Sequence, residues 1–219
     1  MIRGKFRSRQ PDAVVEEAEQ LAKDGVKEII VIAQDTTRYG EDLFGEPYLA
    51  KLLKRLCKID GLKWIRVLYC YPDRLTDELI DTFAEEEKLV NYIDLPLQHC
   101  DGNILKRMNR HGNRESLTAL LNKLRAKVPD MILRSTFITG FPGETTNSLR
   151  NLRSLPLKLN SSAWVALPTR QKKAHLRQVF PTRLTMKSNS TEPILLWNIS
   201  RALWQNTAKA SSAKKLRCL

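Results

Sequence analysis

The sequence predicts an α/β protein in which parallel strands alternate with helices. Four apolar runs rich in β-branched residues, at 26–35, 64–72, 90–99 and 131–140, alternate with segments of helical periodicity. That order is typical of parallel βαβ units. Every run also ends in polar or turn residues. An open sheet concentrates its ligand at one switch point, whereas a barrel uses the ends of several strands. We therefore expect a partial (β/α) barrel.

The helices are predicted from their ends and from their apolar faces. Pro11 suits the first position of a helix, Asp12 suits its positive N-terminus, and Gly25 follows its last turn. The later helices present apolar faces at helical spacing, formed by Leu49, Leu52, Leu53 and Leu56, by Leu79, Ile80 and Phe83, and by Leu117, Leu120, Leu121 and Leu124. Each predicted helix therefore precedes one predicted strand.

The composition changes abruptly near residue 146. Residues 147–219 contain 14 lysines and arginines against one acid, Glu192, and no Gly, Asp or Tyr, although turns usually rely on Gly and Asp. The formal net charge of +13 therefore lies in this segment. We expect one domain at 1–146 and, at 147–219, a poorly ordered basic tail without a domain of its own, helical only in short pieces such as 194–205.

Cysteine usage and hydropathy exclude several classes of protein. The four cysteines, Cys57, Cys70, Cys100 and Cys218, form no CxxC pair, so neither a disulfide framework nor a metal site is predicted. No apolar run approaches the roughly 18 residues of a membrane span, and the first residues lack the apolar stretch of a secretory leader. We expect a cytoplasmic protein without membrane contact.

The candidate binding residues stand where the predicted strands end. They are Gln34, Asp35, Thr36, Gln98, His99, Gly140, Pro142 and Gly143. A turn with two glycines lets the backbone approach a ligand closely. Each feature also has a structural alternative: Gln34 and Asp35 could cap a loop, His99 could be a satisfied histidine beside the site, and the glycine turn could be only a tight connection. No catalytic residue is assigned.

Five segments in order resemble the methylthiotransferases of the radical S-adenosylmethionine superfamily. They are RGKFRSR (3–9), GVKEIIVIAQDTTRYG (25–40), YCYPDRLTDELI (69–80), YIDLPLQHCDGNILKRMNR (92–110) and LRSTFITGFPGET (133–145). IDLPLQH and KRMNR resemble the branch that modifies an aspartate of a small-subunit ribosomal protein. The resemblance implies a partial barrel whose strand ends bind S-adenosylmethionine beside a [4Fe–4S] cluster, which generates a 5′-deoxyadenosyl radical, while a second cluster takes part in sulfur insertion. It makes the eight residues candidates for cofactor binding.

The sequence departs from the family at the cluster. The family's CxxxCxxC motif, whose thiolates hold the iron, would lie just before Arg3, and no such motif occurs in the 219 residues. We therefore expect that the cluster ligands are absent and that this polypeptide alone is inactive. Two alternatives stay open. The chain could be a relative of the transfer-RNA methylthiotransferases, or a non-enzymatic protein whose basic tail binds RNA through tryptophans among lysines and arginines.

The basic tail has an explanation in the genetic code. If codons start at the third base of each codon, Ala163–Lys187 permits the peptide LGCFTYSAEEGTPAASLPDQIDDE, which resembles the family's next strand and loop. The same frame applied to residues 148–152 permits QFEEL. These readings indicate a frame change near Thr145 or Thr146, and the charge of the tail would then be an accident of codons.

Overall fold

A computed structural model describes residues 5–158 and 163–169. These contain seven α-helices: α1 (Pro11–Lys23), α2 (Glu41–Phe44), α3 (Leu49–Cys57), α4 (Asp77–Glu85), α5 (Gly102–Arg107), α6 (Arg114–Lys127) and α7 (Thr146–Lys158). They also contain five strands: β1 (Glu28–Val31), β2 (Trp64–Val67), β3 (Leu89–Asp94), β4 (Ile132–Thr139) and β5 (Ala163–Pro168). One-turn 3-10 helices follow β1, at Thr36–Arg38, and β2, at Pro72–Arg74.

The strands follow one another in chain order, β1-β2-β3-β4-β5. The pairings of β1 with β2, of β2 with β3 and of β4 with β5 are all parallel. The predicted α/β class with parallel strands is therefore confirmed. The described residues fall into two compact units. The first contains the chain up to Leu95 together with Lys123–Met131, and the second contains Pro96–Asn122 and the chain from Ile132 onward.

The first unit buries side chains of β2 and β3, whereas β1 has no buried residue. Ile65 and Val67 of β2 are fully buried, whereas Trp64 is 45% exposed, so the side chains alternate between a covered and an open face. The leucines predicted on α3 are all buried, and Thr76 caps α4 by accepting a hydrogen bond from the Leu79 N–H at 3.2 Å. The core of this unit therefore lies between its helices and the strands β2 and β3.

The open side of the first unit carries both apolar and charged groups. Ile30 and Ile32, on and just after β1, are 52% and 59% exposed. Arg66 of β2 forms an ion pair with Glu28 of β1 at 2.8 Å, and its guanidinium lies 5.0 Å from the centre of the Tyr92 ring of β3. This face therefore does not form a hydrophobic core within the described part of the unit.

The second unit contains a β4–β5 pair and helix α7. The two strands pair in register from Arg134 with Ala163 to Thr139 with Pro168. Helix α7 starts with a reciprocal cap, because the Thr145 N–H donates to Ser148 Oγ at 2.8 Å and the Ser148 N–H donates to Thr145 Oγ1 at 3.1 Å. Its apolar side chains Leu149, Leu152 and Leu155 are buried.

One sequence expectation differs from the structure. The predicted strands are too long: β1 ends at Val31 rather than at 35, because the chain leaves the sheet and Thr36 donates its N–H to the Tyr69 carbonyl at 3.0 Å. Helix α7 and strand β5 are short elements at the start of the segment expected to form a poorly ordered tail. The apolar spacing of α7 and its Thr–Ser cap explain why its residues fold. The predicted piece at 194–205 lies outside the described residues.

The described helices include none that is long and apolar enough to cross a lipid bilayer.

Candidate functional site

The predicted site residues fall into two groups, one in each unit. Gln34, Asp35 and Thr36 belong to the first unit, and Gln98, His99, Gly140, Pro142 and Gly143 belong to the second. Within each unit the structure brings the members together at the carboxyl ends of the strands.

In the first unit, Thr36 links the segment after β1 to the segment after β2 through hydrogen bonds. Its hydroxyl donates to the Leu68 carbonyl and accepts the Ala33 N–H at 3.2 Å. Its backbone N–H donates to the carbonyl of Tyr69, which has a positive φ of 58°. Thr36 is buried and its hydroxyl bonds to backbone groups on both sides, so it supports the loop.

Asp35 is the member of this group whose carboxylate is available. Thr37 donates its hydroxyl to Asp35 Oδ1 and accepts the Tyr71 N–H at 3.2 Å, which fixes the carboxylate at the end of β1. Burial raises the pKa of Asp35 above its ordinary value, although the hydrogen bond from Thr37 acts in the opposite direction. Oδ2 of Asp35 receives no hydrogen bond from the described residues, and Gln34 beside it is exposed.

A cavity of about 430 Å³ lies along β1 in the first unit, and its lining includes Asp35 and Thr36. Most of the remaining lining is apolar and comes from α1, β1 and α3, with Phe6 and Arg9 from the segment before α1. A mostly apolar cleft of this size with a few polar groups at one end has the usual properties of a small-molecule site.

The raised pKa of Asp35 predicts a pH-dependent cost to stability. Between the ordinary pKa and the raised pKa, the folded chain binds more protons than the unfolded chain, so stability falls as the pH rises through that window. We expect Asp35→Asn to raise the midpoint of thermal unfolding at pH 7 and to reduce the difference between midpoints at pH 4 and pH 7. The matched control, Asp60→Asn on the surface, should leave both unchanged. A lower midpoint for Asp35→Asn at pH 7 would contradict this.

In the second unit, a buried histidine and a buried glutamate join two loops. His99 Nε2 lies 2.9 Å from Glu144 Oε1, and both side chains are fully buried. The Asp101 N–H donates to His99 Nδ1 at 2.9 Å, so Nδ1 is the acceptor and the ring proton lies on Nε2, facing Glu144. Glu144 Oε2 accepts the Gly140 N–H as well. The histidine is thus satisfied inside the protein, as the structural alternative predicted.

This pair holds the glycine turn in place. Gly140 and Gly143 have positive φ values of 69° and 87°, which glycine adopts without strain. Gln98 also has a positive φ, 66°, although it is not a glycine. Its N–H donates to the Thr136 carbonyl at 2.8 Å and its carbonyl accepts the Ile138 N–H at 2.7 Å. Backbone strain of this kind is often found at ligand sites.

One polar atom beside the turn lacks a partner. Thr139, the last residue of β4, is 1% exposed, and its Oγ1 makes no hydrogen bond with the described residues. Its carbonyl is occupied, because it accepts the Thr169 N–H at 2.9 Å. A buried hydroxyl without a partner is uncommon and is often completed by a ligand or a water. Thr139 and the glycine turn can therefore accommodate a polar ligand.

The described cysteines do not fit an iron–sulfur cluster. Burial raises the pKa of Cys57 and of Cys70 to about 12, and that of Cys100 to about 11. The ligands of such clusters are thiolates, and burial disfavours the charged form of these three thiols. Within residues 5–158 and 163–169, no group of three or more His, Cys, Asp or Glu side chains is arranged to hold a metal ion.

Sequence reasoning missed several residues of these groups. Thr37, Tyr69 and Thr139 gave no pattern that separates them from ordinary strand-end residues. Glu144 could have been found, because it is a single acid that directly follows a double-glycine turn.

The parallel strands define an α/β protein that carries its candidate binding residues at the carboxyl ends of the strands. The sequence model of the Radical SAM superfamily matches residues 1–155. The chain therefore belongs to this superfamily.

Similar proteins identify the branch that the chain resembles. It is 50% identical over 152 residues to the ribosomal protein uS12 methylthiotransferase RimO of Clostridium tetani, which is 69% of this chain and 34% of the relative. It is 51% identical over 152 residues to the RimO of Clostridium perfringens, again 69% and 34%. The chain spans about a third of the length of these relatives. The resemblance to methylthiotransferases of the ribosomal-protein branch is therefore confirmed.

Solved structures share the fold at low identity. The radical S-adenosylmethionine methyltransferase TsrM of Kitasatospora setae matches with a TM-score of 0.58 and 17% identity, over 73% of this chain and 31% of that protein. Coproporphyrinogen III oxidase HemN of Escherichia coli, a radical SAM enzyme, matches with a TM-score of 0.59 and 16% identity, over 95% and 48%. At such identities the likeness shows the fold alone.

Proposed function

We propose that this chain is part of a RimO-type methylthiotransferase, whose acceptor is an aspartate of the small-subunit ribosomal protein uS12. The observation that carries the proposal is the 50% identity to RimO over 152 residues. The superfamily match at residues 1–155 includes both groups of strand-end residues. A ribosomal protein as acceptor places the enzyme in the cytoplasm. No described feature favours transfer RNA as the acceptor, and the basic segment at 170–219 lies outside the described residues.

In this proposal the strand ends bind S-adenosylmethionine, which supplies the activated sulfonium. In the first unit, Asp35 and Gln34 are the proposed contacts, since the free Oδ2 of Asp35 can accept hydrogen bonds from an ammonium group. In the second unit, Gln98, Gly140, Pro142 and Gly143 form the proposed cradle, with Thr139 donating or accepting a hydrogen bond. Thr36 and His99 act by holding these loops, because the side chains of both are buried and satisfied.

The 219 residues lack CxxxCxxC, and the described thiols do not fit a cluster. We therefore expect this polypeptide to bind the cofactor and not to cleave it. After anaerobic reconstitution with iron and sulfide, the purified chain should retain no iron and produce no 5′-deoxyadenosine. A brown protein with the absorption band of [4Fe–4S] would contradict this.

Cofactor binding is tested separately with S-adenosylhomocysteine, which needs no cluster chemistry. We expect saturable binding by calorimetry, and we expect Asp35→Ala to weaken it about tenfold, the usual effect of losing a hydrogen bond to a charged group. Asp60→Ala on the surface is the matched control. Absence of binding by the unaltered chain would remove the proposed function from these strand ends.

We also propose that the predicted domain boundary near 146 reflects a frame change in the gene. The absence of Gly, Asp and Tyr from 147–219 and the family-like peptide permitted by the shifted codons support it. The described helix α7 lies beyond that boundary and packs its leucines, so part of the segment after 146 folds in the frame that is used. Sequencing the gene and its upstream DNA again tests the hypothesis, and a frame that stays unchanged in independent isolates would reject it.

A further inference from the structure

We propose that Arg107 binds a carboxylate presented beside the glycine turn, and that this carboxylate belongs to the aspartate side chain of the acceptor protein. The identity of the acceptor rests on the proposed function. The carboxylate site itself rests on the geometry of the second unit.

Arg107 lies across the glycine turn. It is the last residue of α5, and its Nη1 donates to the Pro142 carbonyl at 3.3 Å. A Cβ added to Gly143 would overlap the Arg107 guanidinium, so the guanidinium occupies the space that the missing side chain leaves. The hydrogen bond and this close packing orient the planar group over the turn, although the side chain is exposed.

Most N–H donors of the Arg107 guanidinium make no hydrogen bond with the described residues. A guanidinium carries five N–H donors in a fixed fork, and Arg107 donates one hydrogen bond to the described residues. None of the described carboxylates forms an ion pair with it. Glu144, the acid of the same turn, is buried and already accepts from His99 and Gly140. In the first unit the situation differs, because Arg38 and Arg74 are both paired with Glu41.

A carboxylate is the ligand that this arrangement favours. Two parallel N–H groups of a guanidinium match the two oxygens of a carboxylate, and a bond to backbone on one edge leaves another edge available for that contact. Two carboxylates could reach the turn in the proposed reaction. One is the acceptor aspartate, and the other is the methionyl carboxylate of the cofactor. We assign Arg107 to the acceptor because its guanidinium lies on the exposed surface of the turn.

The test measures binding of two labelled peptides to the full 219-residue chain. Both are fluorescein-labelled nonapeptides of neutral residues, one with a central aspartate and one with a central asparagine. We expect fluorescence anisotropy at low salt to show tighter binding of the aspartate peptide to the unaltered chain. We expect Arg107→Gln to weaken the binding of this peptide about tenfold, because a charge-assisted pair is lost. Arg107→Lys should restore only part of it. The control Arg150→Gln, which removes an exposed charge from α7, should change the affinity by less than about twofold.

Further measurements distinguish the source of the carboxylate. S-Adenosylhomocysteine carries the cofactor carboxylate and 5′-methylthioadenosine does not. If Arg107→Gln weakens only S-adenosylhomocysteine, the site is a carboxylate site of the cofactor, and the assignment to the acceptor is overturned. If Arg107→Gln and Arg150→Gln have equal effects, or the unaltered chain does not prefer the aspartate peptide, the proposal fails. Selective peptide binding by a chain that binds neither nucleoside would support it while rejecting the proposed cofactor site.

Discussion

Replacing Glu144 with alanine is expected to lower the free energy of unfolding by about 3 kcal/mol, because a buried donor left without an acceptor costs about 1–3 kcal/mol. The change leaves two such donors without an acceptor, the Nε2–H of His99 and the N–H of Gly140. It also leaves a space in a well-packed region. Urea-induced unfolding followed by circular dichroism measures the loss.

Glu144→Gln separates hydrogen bonding from volume. Glutamine offers one oxygen acceptor where the carboxylate offers two, so its NH₂ group must face one of the two donors. The histidine cannot exchange its tautomer without cost, since its Nδ1 accepts the Asp101 N–H. We therefore expect a loss of about 1–2 kcal/mol for Glu144→Gln. The matched control is Glu115→Ala at the exposed start of α6. Equal stability of Glu144→Ala and Glu115→Ala would refute the proposed role of Glu144 in holding the glycine turn.

Replacing Leu152 with alanine is expected to lower the free energy of unfolding by about 2–5 kcal/mol, the usual cost of removing a buried leucine side chain. Leu152 is fully buried in α7, between two other buried leucines of the same helix. The Leu152→Ala variant tests whether α7 contributes to the core, since this helix lies beyond the predicted domain boundary. Chemical unfolding monitored in the far ultraviolet measures the loss.

A surface change on the same helix provides the comparison for Leu152. Arg150→Ala retains helix propensity and removes only an exposed side chain, so its effect should stay within about 0.5 kcal/mol. If Leu152→Ala behaves like Arg150→Ala, α7 is not part of the cooperative structure. Both variants keep the Thr145–Ser148 cap, so helix initiation is the same in each.

The alternation of strands and helices could be predicted from sequence because it depends on local patterns. The leucines at 49, 52, 53 and 56 share one face of a helix wherever the helix lies, and all of them are buried. Strand lengths were less accessible. Ile32 and Ala33 after Val31 are as apolar as β1, but the chain leaves the sheet there, and Thr36 bonds to the segment after β2. Apolar composition therefore located the strands and did not locate their ends.

The sequence could predict where the candidate site residues lie, but not what each of them contacts. Polar strand ends identify Asp35 and the glycine turn, since those residues are unusual in their own neighbourhood. Glu144, which bonds to His99, and Pro142, which bonds to Arg107, lie 45 and 35 residues away from them along the chain. Such contacts have no local pattern, because they depend on which loops the fold brings together. For this reason the sequence proposed His99 as a contact residue, whereas its imidazole is enclosed by protein.

Ile30 and Ile32 are 52% and 59% exposed on the open side of β1, and both line the cavity along that strand. Such a surface is what molecular chaperones bind and what proteolytic quality control uses to select polypeptides for removal. The lifetime of this polypeptide inside a cell would then be set by how quickly those systems engage it, independently of any chemistry at its strand ends.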